Sequence, residues 1–365
     1  MTHVIIRRYI MTSKEEKKFL TRLKKFSQEI FNATDAAVME GFEYFQTSEY
    51  KKTGAVKSRA KEMFANKGLK GSVRLATHMA KRMPSMLSNI KKNYRDMDDY
   101  LYSLENGKAI PHTSEKVVKA FPNKDIWNDL LQYSWIKHKV IVGFTKVSEE
   151  YIFKGKAIPF QYALVFAQEM RKESIEKAPE LDAGMEVVNV YNSLGIATND
   201  IVAWLKKKYK IMGMANHPLG GLVDFVPLAE KAGLGLIGRH GMVITKEFGP
   251  RCRIAPIFID EKIFQVTDTT EHEWISEFCN KCGNCARSCP VEAIYERPKL
   301  VQTSISENTK DRYESYDREK CFVSFSATMG CALCISVCPF SRNPKIYDEM
   351  KTKHWKIRKV DNNAN

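Results

Sequence analysis

Apolar residues recur at three- and four-residue intervals from Phe19 through Leu20, Leu23, Phe26, Ile30 and Phe31, which predicts an amphipathic helix. Ser13-x-x-Glu16 ahead of it has the form of a capping box. Helical patterning then continues, with breaks expected near Gly54, Gly68 to Gly71 and Pro84. Met63, Met79, Met83 and Met86 read as core filler or a contact face. Between Glu105 and Asp125, Asn106-Gly107, Pro111 and Pro122 mark a long connection.

The texture changes at Trp127. Lys139 to Phe144 is β-branched and short, as a strand is. Ile158 to Arg171 shows no decisive period; it fits a strand over Tyr162 to Ala167 or a helix. Ala183 to Lys208 reads as one long helix whose face is Val187, Val190, Tyr191, Leu194, Ile201 and Leu205, with Gly195 a weak point. Asn216 to Gly221 is rich in turn formers, and Pro227 to Ala232 reads as a short helix. Met242 to Thr245 and Arg253 to Ile259 read as strands, and a polar, lysine-rich tail begins after Pro344, fraying beyond His354.

These elements predict an α+β protein in four parts. They are a lysine-rich helical region over 1–125, an α/β domain over 126–268, a cysteine-rich domain over 269–348 and a polar tail over 349–365. A chain of 365 residues, 44% hydrophobic, can bury the cores that this division needs. No apolar run approaches the ~18 residues of a membrane span. Arg7-Arg8 near the start is not followed by the long apolar stretch of an export signal, so the expected location is the cytoplasm, with no membrane partner.

Charge is uneven. The formal net charge is +15, and residues 1–125 hold 25 Lys and Arg against 14 Asp and Glu. Such a surface suits a small acidic electron donor (a ferredoxin or flavodoxin) or a polyanion such as tRNA. A solvated helical surface explains it equally well, and no interleaving of Arg with aromatics favours nucleic acid.

The chemistry is concentrated in the cysteines. Eight of nine lie between Cys279 and Cys338. Cys279, Cys282, Cys285 and Cys289-Pro290 have the C-x2-C-x2-C-x3-C-P spacing of a ferredoxin-type cluster loop. Cys321, Cys331, Cys334 and Cys338-Pro339 repeat the theme with the first cysteine displaced upstream. Eight thiolates suit two [4Fe-4S] clusters. In two-cluster ferredoxins the fourth cysteine of each run ligates the other cluster. Cys279, Cys282, Cys285 and Cys338 are therefore expected at one cluster, and Cys289, Cys321, Cys331 and Cys334 at the other. Each fourth cysteine is expected to start a short helix that its proline ends.

Other motifs are weaker. Gly233-x-Gly235-x-x-Gly238 matches a dinucleotide fingerprint, but a helix-like segment precedes it and a strand follows Arg239-His240-Gly241. Its glycines are expected to let the backbone approach a bulky ligand. His217-x-x-Gly220 echoes part of the Asp-x-His-x-x-Gly motif of corrinoid proteins, with Ala215 at the Asp position. A pocket or structural role suits His217 better than cobalt ligation. Cys252 reads as a small buried residue, and no partner is identified for His240.

Taken together, Val226-Pro-Leu-Ala-x-x-Ala232, the glycine segment to Gly241, Gly249-Pro-Arg251-x-Arg253, Ile257 to Asp260 and the double cysteine run resemble the catalytic subunits of reductive dehalogenases. The related epoxyqueuosine reductases share the Ala-Gly-Leu-Gly segment and the paired clusters. The resemblance implies a nitroreductase-like α/β domain that binds cobalamin, two clusters that feed it electrons, and reduction of a C–X or C–O bond in a small-molecule substrate. It implies catalytic roles for Tyr191 as proton donor, Asn216 in the pocket and Arg253 beside the tyrosine. Cofactor-binding roles follow for Gly233, Gly235, Gly238, Arg239, His217 and Arg251. Asp224 only loosely echoes the acid that precedes Pro-Val in epoxyqueuosine reductases. A tRNA-modifying reductase of that type, or an electron-transfer protein with a ferredoxin-type module and no catalysis, are the alternatives.

Overall fold

The computed structural model describes residues 73–93, 125–153, 158–219, 222–263, 270–302, 311–328, 330–343 and 345–353, with positions 71 and 96 besides. The expected capping box, the helix at Phe19 to Phe31, Met63 and the connection over 105–124 lie outside the described residues.

The centre is a four-stranded antiparallel sheet in the order β1-β2-β6-β3. Its strands are β1 (Val140–Lys146), β2 (Tyr162–Glu169), β3 (Gly213–Ala215) and β6 (Cys252–Ile259). Residues Ala163 to Ala167 of β2 are fully buried, all apolar and on both faces. This explains why the segment lacks a period: a strand covered on both faces need not alternate. Leu164 and Phe166 enter one core with Leu130, Phe144, Leu194, Ile201 and Ile257. Ala163, Val165 and Ala167 enter another with Leu228, Val243 and Phe258. Burying each large apolar side chain contributes about 1.5–3 kcal/mol.

Helices cover both faces. Alongside the first core run α2 (Ile126–His138) and α3 (Leu181–Tyr209); α4 (Phe225–Lys231) serves the second. The α2–α3 contact includes a stacked Tyr133–Trp204 pair with ring centroids 4.4 Å apart. Asp200 accepts hydrogen bonds from Tyr133 and Lys137 and meets the His138 ring.

A helix over 73–93, α1, lies along α3. Arg74 pairs with Asp182 at 3.0 Å, His78 meets the Met185 carbonyl, and Asn93 donates to Asn199 at 2.9 Å. Contacts advance in the same direction on both helices, so the two are parallel. Met83 and Met86 are buried, as contact-face methionines should be. The break expected at Pro84 is absent: the helix continues through it. Pro84 is on the exposed face, where water can satisfy the carbonyl that loses its partner.

Two short hairpins complete the fold: β4 (Gly235–Ile237) with β5 (Val243–Thr245), and β7 (Ile294–Gln302) with β8 (Asp311–Tyr316). The second, inserted between the cysteine runs, has mostly exposed residues on β7 and carried no clear apolar alternation. The cysteine runs occupy α5 (Trp274–Cys282), α6 (Asn284–Arg287), α7 (Arg318–Thr328), α8 (Leu333–Ser336) and α9 (Pro339–Arg342). Residues 346–353 are helical and bury Tyr347 against Trp274 and Phe340. No helix among the described residues is long and apolar enough to cross a membrane.

Candidate cluster sites and the adjoining tyrosine pocket

The two cysteine runs fold alike. Gly283, just after Cys282, and Ala332, just after Cys331, both take the left-handed conformation, at φ 60° and 53°. A one-turn helix follows each, then the fourth cysteine and its proline. The expectation for the fourth cysteine is corrected here. A one-turn helix precedes each fourth cysteine; Cys338 does head a short helix, α9, as expected, but Pro339 opens that helix instead of ending it, and no helix follows Cys289-Pro290. Proline is suited to that first position because its missing N–H would go unused there.

One pocket is lined by Cys279, Cys282, Cys285 and Cys338, with Arg239, His240, Phe278 and Phe340 among its other walls. The remaining quartet gathers next to it: the Cys334 thiol feels Cys321, Cys331 and Cys289, and also Cys285 of the first quartet. No three Cys, His, Asp or Glu side chains among the described residues converge as ligands of a single ion. Thiolates that hold a cubane sit at separate corners and need not converge on one point. All nine cysteines are free thiols.

Burial opposes ionisation of these thiols. It pushes Cys279 and Cys321 up to about 11 and raises Cys285, Cys334 and Cys338 as well. Iron binding would supply the positive charge that removes those protons. Arg239 favours the thiolates of Cys279 and Cys285 by its charge, and its Nε donates to the Tyr295 carbonyl at 3.1 Å. It therefore belongs to the first quartet's wall.

A second group of functional candidates adjoins the second quartet. Tyr191, Cys334 and Met242 pack against one apolar cluster built from Met170, Val187, Val190 and Ile335. The Arg253 guanidinium lies over the Tyr191 ring, 5.0 Å from its centroid. Further along α3, the His217 ring rests on Gly195 so closely that a Cβ there would lie 2.3 Å from His217 Cδ2. The weak point expected in the helix is thus the seat of a histidine. Burial lowers the His217 pKa to about 3. Its Nδ1 accepts from Leu219 N–H, leaving Nε2 without a protein partner. Arg253 Nε and Asn192 Oδ1 are likewise buried and unpartnered. Buried polar atoms are almost always paired, so such a group along α3 and β6 suits a ligand with its own donors and acceptors. Asn216 Oδ1 accepts from Leu222 N–H at 2.9 Å, which fixes the loop after His217.

Several sequence expectations are revised by packing. Gly235 and Gly238 do not make room for a ligand. A Cβ at Gly235 would lie 2.0 Å from the Ile244 carbonyl oxygen, and one at Gly238 would lie 2.6 Å from Ile244 Cδ1, so the β4–β5 hairpin itself fills the space. Gly233 supplies the positive φ, 75°, that ends α4. Arg251 is buried and fully used by the chain. It donates to Glu169 at 2.7 Å, to the Met170 carbonyl at 2.8 Å and to the Ser341 carbonyl at 2.9 Å, tying the sheet to α9. Asp224 caps α4 through Val226 N–H and pairs with Arg312 at 2.8 Å. Cys252 is buried in β6, its thiol pushed up to about 12 by desolvation.

His240 was missed by sequence reasoning. It lines the first quartet's pocket, is 3% exposed, and burial lowers its pKa to about 4. Only its position beside Arg239 could have hinted at this.

Residues 278–341 match the 4Fe-4S double cluster binding domain. The tetrachloroethene reductive dehalogenase of Desulfitobacterium hafniense is 33% identical over 198 residues, 52% of this chain and 34% of that protein. The epoxyqueuosine reductase of Lactococcus garvieae is 32% identical over 152 residues, 39% of this chain and 40% of that protein. A solved catabolic reductive dehalogenase covers 61% of this chain and 34% of its own at 21% identity, with a TM-score of 0.48. The chain spans about a third of the length of the dehalogenases it matches. It has homologues named reductive dehalogenase and epoxyqueuosine reductase, and a double-cluster 4Fe-4S binding domain lies between residues 278 and 341.

Proposed function

We propose that this protein is a cobalamin-dependent iron-sulfur reductase of the reductive dehalogenase type. It would reduce a C–X or C–O bond in a small molecule with electrons taken from an acidic donor such as a ferredoxin or flavodoxin. The observation that carries this reading is the Tyr191–Arg253 pair packed beside Cys334 of the second quartet. The unpartnered atoms of Asn192, His217 and Arg253 suit the amide-bearing rim of a corrinoid. A nitroreductase-like role for the sheet domain is part of the same reading.

When bound, the clusters would supply one-electron storage and the corrinoid would supply low-potential reducing chemistry. The chain's residues do the rest. The eight thiolates hold the clusters, and the apolar walls around Tyr191 exclude water. The Tyr191 hydroxyl gives its proton to the carbon that loses its leaving group, so two electrons and one proton replace X by H and release X⁻. The Arg253 charge over the ring stabilises the phenolate left behind.

Anaerobic protein with both clusters loaded should retain added hydroxocobalamin through gel filtration and show a cobalt EPR signal with the lower base detached. If it retains none, this reading fails. Salt-sensitive binding of tRNA by the same preparation would favour the epoxyqueuosine reductase type instead.

A further inference from the structure

His240 lines the first quartet's pocket without being a cluster ligand. Its Nδ1 accepts from Met242 N–H at 3.1 Å, so in that ring the proton sits on Nε2. That Nε2 is buried and has no protein partner, while the ring lines the same pocket as Cys279, Cys282, Cys285 and Cys338. Buried donors almost always have an acceptor, so a fold that keeps an unpartnered one at a pocket wall implies an acceptor within the pocket. Gly238 holds the ring in place; a Cβ there would lie 3.0 Å from His240 Cε1. Arg239, the preceding residue, presents its guanidinium to the same loop, where a Cβ on Gly283 would lie 3.2 Å from its Nη1.

We propose that His240 donates a hydrogen bond from Nε2–H to a sulfur of the cluster held by Cys279, Cys282, Cys285 and Cys338, and that this bond, with the Arg239 charge, raises that cluster's reduction potential. Reduction adds one electron whose charge spreads over the sulfurs. A fixed donor and a nearby cation stabilise the reduced form more than the oxidised form. His240 is a positioning residue for charge, and it makes the first cluster the more easily reduced than it would be in an apolar wall. The inference rests on the cluster reading alone, so loss of cobalamin leaves it standing.

The test is a redox titration of anaerobic protein followed by EPR, comparing wild type with His240→Phe and His240→Gln. Iron and sulfide content, measured first, separates failure of the cluster reading from failure of this inference. The first-cluster signal is the one lost in Cys282→Ala. Its midpoint should move to more negative potential in His240→Phe and recover part of that shift in His240→Gln, with the second cluster's midpoint unchanged. Equal midpoints in all three proteins, or equal shifts of both clusters, would overturn the proposal. A wild-type measurement guards against a variant that does not load. Protein labelled with ¹⁵N-histidine should show nitrogen coupling to the reduced first cluster in pulsed EPR, and its absence would also overturn it.

Discussion

The Arg253 guanidinium lies over the Tyr191 ring, 5.0 Å from its centroid, joining the middle of α3 to β6. The pair places a permanent cation on the face of a tyrosine that packs against the same apolar cluster as Cys334. Such a contact is worth about 0.5–2 kcal/mol and rises as water is excluded.

Tyr191→Phe removes the proton while keeping the ring and its contact with Arg253. Turnover of an organohalide should fall by about 10²- to 10⁴-fold, the usual loss of a general acid. Cluster content and cobalamin retention should be unchanged. Undiminished turnover in single-cycle assays would leave the tyrosine a packing residue.

The two quartets make distinct predictions for the fourth cysteines. Cys338→Ala should abolish the same EPR signal as Cys282→Ala, because both line one pocket. Cys289→Ala should instead remove the signal lost in Cys331→Ala. Spectra in which Cys338 and Cys334 share a cluster would rule out the crossing.

Gly195→Ala would drive a methyl into the His217 ring, 2.3 Å from Cδ2. The ring is buried, so it can move only by displacing what packs around it. Overpacking of this kind costs about 1–3 kcal/mol. Urea denaturation of the variant should show that loss, and a midpoint equal to wild type would mean that the ring yields freely.

His217 links stability to pH. Burial holds its folded pKa at about 3, below the unfolded 6.5. Below pH 6.5 the unfolded chain binds a proton that the native chain refuses. Stability therefore falls as pH drops from 6.5 toward 3, by about 1.4 kcal/mol per unit for this residue. His217→Leu should reduce the slope of unfolding free energy against pH by one proton between pH 6.5 and 5. An identical slope in both proteins would refute the linkage.

Arg251→Met would leave the carbonyls of Met170 and Ser341 without the donor they now share. A loss of about 2–3 kcal/mol is expected. Hydrogen exchange should show α9 opening more readily from the sheet, and unaltered protection there would count against Arg251 as a tie.

Much of the local structure was legible. The β-branched run at Val140, the apolar face of α3 and the strand at Cys252–Ile259 all follow from side-chain pattern. The ambiguous run at Tyr162 resolved only because helices cover both faces of the sheet, which period cannot reveal. Pro84 misled because its cost depends on whether that helix face meets water. The glycines at 235 and 238 misled for a related reason. A missing Cβ says that something approaches, but not whether it is a ligand or the chain's own β5.

Chemistry that lies within a few residues is readable without the fold: cysteine spacing sets how a loop can wrap a cluster, and a short-range count suffices for it. Pairings between distant segments were decided only by the tertiary structure. Arg253 meets Tyr191, His217 sits on Gly195, His240 faces the first quartet and Arg251 is withdrawn into a structural tie. These depend on how the sheet, α3 and the cluster loops pack, and close packing is a property of the whole chain that no local pattern encodes.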